Sequence, residues 1–283
     1  MPSLNVDMTS ENAAHGTARR IALVVAYDGT DYAGFQSQVG VPTIQSELET
    51  AISRLTGTPS RVRGASRTDA GAHACGQVVD FTTESALDSS VFVPAMNYYL
   101  PEAIRVTSAL DVPPEFHSRY DAAHREYRYS ILNRDVASPL LRRTHHLETA
   151  PLELSDIRKA ATSLLGIRDF RRVSASYPAD RSTVRKVLRW EAKRHPSIPD
   201  VITIDCAANG FLRHQIRRAN AVLIEIGKGK LPIHAMAETL AGRTPIQHRI
   251  RTLPAKGLCL KSVHYPGYDH LFAPKVEDKH ETH

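Results

Sequence analysis

The sequence predicts an α+β protein made of two units of similar size, with strands outnumbering helices. Three observations carry the prediction. Short apolar or alternating runs of strand type recur along the chain, and fewer segments show the helical spacing of apolar residues. A Pro113-Pro114 pair interrupts the pattern. The length of 283 residues is also that of about two domains.

The elements follow in order. Residues 1–19 are polar, rich in Ser, Asn, Thr and Gly and without periodicity, and read as a disordered leader. Ile21 to Tyr27 is a continuous apolar run fit for a buried strand. Thr43 can cap a helix whose residues Ile44, Leu48, Ala51, Ile52 and Leu55 fall on one face. Gln77 to Thr82 and Ile104 to Ala109 are strand-like, completing a first domain over residues 20–113. A second domain, residues 114–266, opens with Glu126 to Leu132, whose alternation puts Tyr127, Tyr129 and Ile131 on one face. Ser155 can cap a helix bearing Ile157, Ala160, Ala161, Leu164 and Leu165, stopped by Gly166. Strands are expected over Val184 to Ala192 and Val201 to Cys206, and helices over Leu212 to Ile226 and Ile233 to Leu240. A last strand fits Leu258 to Val263, and residues 267–283 read as a mobile tail.

Composition excludes several classes. The hydrophobic set is 42% and charged residues 23%, an ordinary balance for a globular protein with a sizeable core. No apolar run approaches the 18 or so residues of a membrane helix, so no membrane partner is expected. The three cysteines, Cys75, Cys206 and Cys259, are odd in number and far apart, which argues against a disulfide framework or zinc ribbon and for the cytoplasm. The net charge of +6 suits a nucleic-acid partner without establishing one.

Four segments hold residues that can carry chemistry. Arg67-Thr68-Asp69-Ala70-Gly71-Ala72-His73 gathers Arg, Asp, Gly and His between two strands, and is either a reactive loop or an ordinary Asp-Gly turn. Tyr27 to Gln38 interleaves aromatics with Gly, Asp and Gln, as a base-stacking loop or a packed turn would. His124 to Tyr129 sets Tyr127 and Tyr129 against Arg128 on the opposite face, a pattern that core packing also explains. In Asn209 to Arg218, Arg213 and Arg217 are spaced to share a helix face, with His214 and Arg218 a neighbouring pair. Such a face is either simply solvated or grips phosphates, helped by Arg142-Arg143, Arg168, Arg171-Arg172, Lys193-Arg194 and Lys228.

Singly these segments decide nothing; in order they resemble one family. The first is similar to the Arg-Thr-Asp-Ala-Gly-x-His signature of the tRNA pseudouridine synthases of the TruA family, followed by Gly76-Gln77-Val78. Tyr27-Asp28-Gly29 with Gly34-Phe35-Gln36-x-Gln38 resembles the family's N-terminal block. Asn97 with Leu100-Pro101, Phe116-His117-x-Arg119, Tyr127-x-Tyr129, Asp169-Phe170, Phe211 with His214 and Arg217, and Gly257-Leu258-x-Leu260 continue the likeness across Ile21 to Pro266. Four positions depart from the pattern. Ser66 stands where many members have Gly, Arg213 where a His is common, and Arg172-Val173 where a small residue and Phe are common.

The resemblance implies two α+β domains around an extended antiparallel sheet, a basic cleft between them, and a homodimer. It implies isomerisation of uridine to pseudouridine at tRNA positions 38, 39 and 40, on a base flipped out of its stack, with no metal or organic cofactor and no DNA substrate. Asp69 matches the catalytic nucleophile or base at the ribose, Arg217 its guanidinium partner, and Tyr127 the residue that stacks on the base and is placed to take the C5 proton. Arg67, Tyr127, Arg213 and His214 match substrate-binding positions; His73 has no assigned role. The rivals are a synthase of the same fold with other RNA targets, a silent RNA-binding module, and an aspartate-dependent glycoside hydrolase. The last would need a second carboxylate such as Asp28 or Asp31.

Overall fold

The computed structural model describes residues 17–175, 178, 180–243, 250–268 and 272. Most of the expected leader, residues 1–16, lies outside them, as does most of the expected tail. The chain forms a large, mostly antiparallel sheet with few helices, the α+β class that the sequence predicts. Its strands are β1 (Arg19–Tyr27), β2 (Arg63–Gly64), β3 (His73–Thr83), β4 (Ile104–Val112), β5 (His124–Asn133), β6 (His146–Glu148), β7 (Gly166–Asp169), β8 (Val184–Arg194), β9 (Val201–Ala208) and β10 (Leu258–His264). The helices are α1 (Ile44–Thr56), α2 (Ser89–Tyr99), α3 (Leu154–Ala161), α4 (Gln215–Gly227) and α5 (Ala235–Leu240).

The sheet order is β4-β1-β3-β10-β5-β9-β8-β7, with β2 beside β3 and β6 beside β5. The parallel pairings are β10 with β3 and β5 with β6. The last strand in sequence therefore sits in the middle, joining strands of the first half to strands of the second. Apolar residues cover both faces of β1, where Ile21 to Val25 are fully enclosed. On β5 the alternation is sharper. Arg125, Tyr127 and Tyr129 are buried, while Glu126 and Arg128 lie half-exposed on the opposite face.

Local chemistry explains the helix ends. Thr43 caps α1 through a reciprocal pair with Ser46, and Gly57, at φ 74°, closes the helix. α3 begins before the expected cap, because the Glu153 carboxylate accepts from the Ser155 amide; it gives way to a tighter turn at residues 162–164, and Gly166 opens β7. α4 starts at Gln215 rather than Leu212. His214 precedes it in the left-handed region at φ 63°, so Arg213 lies ahead of the helix and shares no helical face with Arg217. Beyond Pro266, Phe272 is buried, stacked on Phe116 at 5.7 Å and packed on Tyr265 at 4.8 Å. Phe272 falls within the stretch read as a mobile tail, most of which lies outside the described residues.

Candidate active site

The loop from Ala65 to Ala72 runs between β2 and β3, and main-chain bonds hold it from several sides. Gln77, fully buried in β3, clamps Ser66: its Nε2 donates to the Ser66 carbonyl at 2.6 Å and its Oε1 accepts from the Ser66 amide at 3.2 Å. Tyr27 and Thr68 join hydroxyls at 2.8 Å, and the Phe35 amide donates to the Thr68 carbonyl. The glycines of the 27–38 segment make this approach feasible. A Cβ on Gly29 would lie 1.9 Å from the Ala72 carbonyl oxygen, and Gly34, at φ +100°, sits against the Thr68 carbonyl. The second sequence segment thus cradles the first.

The cradle presents Asp69. Arg217, in the first turn of α4, donates from Nη1 to Asp69 Oδ2 at 2.7 Å and from Nε to the Leu253 carbonyl at 2.6 Å. One planar guanidinium therefore orients the carboxylate while its other edge is pinned to the chain before β10. His214 Nε2 stands 3.7 Å from the other carboxylate oxygen. Burial lowers the His214 pKa, and the Asp69 charge offsets this only in part.

Tyr127 enters from β5. Its hydroxyl bonds Ser66 Oγ at 2.7 Å, and Phe211 meets its ring edge-on at 5.3 Å. Burial pushes the phenol far above its ordinary value, with the Asp69 charge adding to the rise. The fold thus gathers Asp69, Arg217 and Tyr127 from three distant parts of the chain.

The remaining expected residues divide. Arg67 and Arg213 are exposed, and neither side chain has a hydrogen bond or ion pair among the described residues. His73 is a buried anchor: Nε2 lies 2.9 Å from the Arg143 carbonyl and 3.1 Å from the Lys256 carbonyl, and Nδ1 is 3.1 Å from Asp28. Asp28 and Asp31 both face Arg143, at 3.5 and 3.1 Å. Burial acts to raise the Asp28 pKa, but hydrogen bonds from Thr30 outweigh it and the net shift is downward, the wrong direction for a general acid. Arg218 is occupied by Thr252 and the Ser174 carbonyl. An open cavity of about 340 Å³ at Arg20, Arg61 and Arg63 shares no residue with this site.

Sequence reasoning missed Gln77 as a clamp and Ser66 as the partner of Tyr127. A glutamine inside an apolar strand was the available signal. It missed Arg125 too, whose buried guanidinium donates to the carbonyls of Ala65, Arg119, Ala122 and Asn209 and so ties the Asp69 loop to the second half of the chain.

On this α+β frame, the carboxylate of Asp69 is held by the Arg217 guanidinium and lies close enough to the buried Tyr127 phenol for its charge to act on it. A family model for tRNA pseudouridine synthase matches residues 23–121 and 160–266. The chain is 40% identical over 254 residues to tRNA pseudouridine synthase A of Roseiflexus castenholzii, covering 88% of this chain and 91% of that one. It is 36% identical over 248 residues to the Geobacter sp. (strain M21) protein of the same name, covering 88% and 99%. It is 33% identical over 261 residues to the Neisseria gonorrhoeae one, covering 92% and 97%. Among solved structures, the archaeal box H/ACA sRNP Nop10-Cbf5 complex superimposes with a TM-score of 0.27 and 12% identity over 84% of this chain and 55% of that one, too loose a likeness to bear on function. The chain belongs to the tRNA pseudouridine synthase family and is accordingly an isomerase.

Proposed function

We propose that this enzyme isomerises uridine to pseudouridine at positions 38, 39 and 40 of the tRNA anticodon stem-loop, with Asp69 as the nucleophile. The observation that carries the reading is the 2.7 Å contact between Arg217 Nη1 and Asp69 Oδ2, made where the loop projects the carboxylate. The relatives, tRNA pseudouridine synthases by name, supply the substrate class.

In this mechanism the N1–C1′ bond of a flipped-out uridine breaks as Asp69 adds to C1′ or removes the C2′ proton. The uracil turns, and C5 bonds to C1′ as the Asp69–C1′ ester bond breaks or as Asp69 returns the proton to C2′. N1 takes a proton from water, matching the one that C5 loses. Tyr127 lies against the base and takes the C5 proton. Burial favours the neutral phenol, so the hydroxyl sheds its own proton in that step, and Ser66 Oγ at 2.7 Å is the neighbour through which it leaves toward water. Exposed Arg67 and Arg213 grip phosphates, and His214 lines the ribose side. No step needs a cofactor or metal. A homodimer acting in the cytoplasm and presenting a basic cleft to tRNA belongs to the same reading, as does the division into domains at residues 113 and 114.

Incubating unmodified tRNA transcripts with the enzyme and mapping pseudouridine by carbodiimide adduct formation and primer extension tests the reading. New stops confined to positions 38–40 are expected. Modification at other positions would overturn the anticodon assignment, and none on any tRNA would overturn the substrate.

A further inference from the structure

Two of the three cysteines, far apart in sequence, meet on the half-exposed face of the sheet. Cys75 on β3 and Cys259 on β10 place their Sγ atoms 3.5 Å apart. Both are free thiols that reach the surface in part, whereas Cys206 is enclosed. Lys261, two residues beyond Cys259, holds Nζ 3.5 Å from Cys75 Sγ. Arg128, paired with Asp205, is the register neighbour of Cys259 on β5. The hydrogen bond from Cys259 and the nearby Lys261 ammonium hold the Cys75 thiol below its ordinary value against the opposing effect of burial, and the same contact pushes Cys259 up. The Lys261 ammonium beside Cys75 therefore favours negative charge on that sulfur over its neighbour.

We propose that Cys75 and Cys259 form a redox-active dithiol, oxidised by hydroperoxides, in which Cys75 attacks and Cys259 resolves. The Cys75 sulfur attacks one peroxide oxygen and the O–O bond breaks. The departing alkoxide takes a proton and leaves as alcohol, or as water from hydrogen peroxide, and Cys75 becomes a sulfenic acid. The Cys259 sulfur then gives up its proton and displaces hydroxide from the Cys75 sulfur; proton and hydroxide leave as water. The two thiols lose two electrons and the peroxide gains them. Closing from 3.5 Å to the bonded distance moves the sulfurs by about 1.5 Å. The bond joins β3 to β10, whose parallel pairing, Cys259 with His73 and Leu260 with Ala74, connects the strands of the two halves of the chain. Oxidation therefore staples the half that carries Asp69 to the half that carries Tyr127 and Arg217. The dithiol does not depend on the assignment of the tRNA substrate.

The test uses the full-length protein, reduced, freed of reductant and treated with equimolar hydrogen peroxide at pH 7. Free thiols are then alkylated and peptides mapped without reduction. The expected product is an intramolecular Cys75–Cys259 link that a thiol reductant reverses, with Cys206 alkylated only after unfolding. Cys259→Ala should stop at a Cys75 sulfenic acid trapped by dimedone, and Cys75→Ala should leave Cys259 reduced. In the untreated protein, the rate of Cys75 alkylation should rise by clearly less than tenfold per unit from pH 6 to 8, where an ordinary thiol gains about tenfold per unit. Lys261→Gln should restore part of that slope. Absence of the link in the wild type, oxidation of Cys259 without Cys75, or a tenfold-per-unit slope at Cys75 would each overturn the proposal.

Discussion

Single side chains decide how the site works, and Arg217 does two jobs with one group. It orients Asp69 and pins the Leu253 carbonyl at once. Lysine offers a point charge that does not span both. Arg217→Lys should lower kcat on the order of 100-fold, the scale of losing one positioned donor at a reacting centre, while tRNA binding by filter retention stays close to wild type. Near-normal turnover would remove Arg217 from the mechanism. Ser66 is the departure from the family pattern that acquires a role, since its hydroxyl meets Tyr127 at 2.7 Å. Ser66→Ala should reduce kcat about two- to tenfold with KM unchanged, the effect of one hydrogen bond, and Tyr127→Phe should cost far more. If Ser66→Ala turned over at the wild-type rate, the proton path through this hydroxyl would be wrong. The sequence placed Asp69, Tyr127 and Arg217 as candidates through motif order. Ser66 and Gln77 stood in those motifs, but their contacts depend on how β3 and β5 lie in space.

Among the elements, legibility follows burial pattern. β1 and α1 were readable because a fully enclosed strand and a capped amphipathic helix leave strong periodic signals. α2 carries Pro94 in its interior, a residue that argues against helix, and it was not anticipated. β2, β6 and β7 run two to four residues, and every residue of β7 is exposed, so no alternation marks them. The start of α4 was misplaced because a left-handed His214 has no sequence signature comparable to glycine. The element that matters most to the site is β3, which carries Gln77 beneath the Asp69 loop. Gln77→Leu removes both bonds to Ser66 and leaves an amide and a carbonyl unpaired. Urea unfolding should show a loss of about 1–3 kcal/mol for such a group, with kcat falling in parallel. Unchanged stability would mean that the loop is held by other contacts.

Over the whole molecule, the sheet joins the two halves of the chain through β10, an arrangement that chain order alone conceals because the last strand lies in the middle. Stability should weaken in mild acid. Burial lowers the pKa values of His145, His146 and His214 in the folded protein, so between those values and about 6.5 the unfolded chain binds more protons. Stability therefore rises with pH through that window, and the melting midpoint should fall as pH drops from 7 toward 5.5. A constant midpoint would mean that these histidines protonate equally in both states. The central claim remains that Asp69 performs the isomerisation. Its most direct measurement uses tRNA transcribed with tritium at C5 of uridine, given to wild type and to Asp69→Ala, with binding measured alongside. The account predicts tritium release by the wild type alone, while the variant retains tRNA affinity because binding rests on distributed phosphate contacts. Release by Asp69→Ala at a rate comparable to wild type would contradict it.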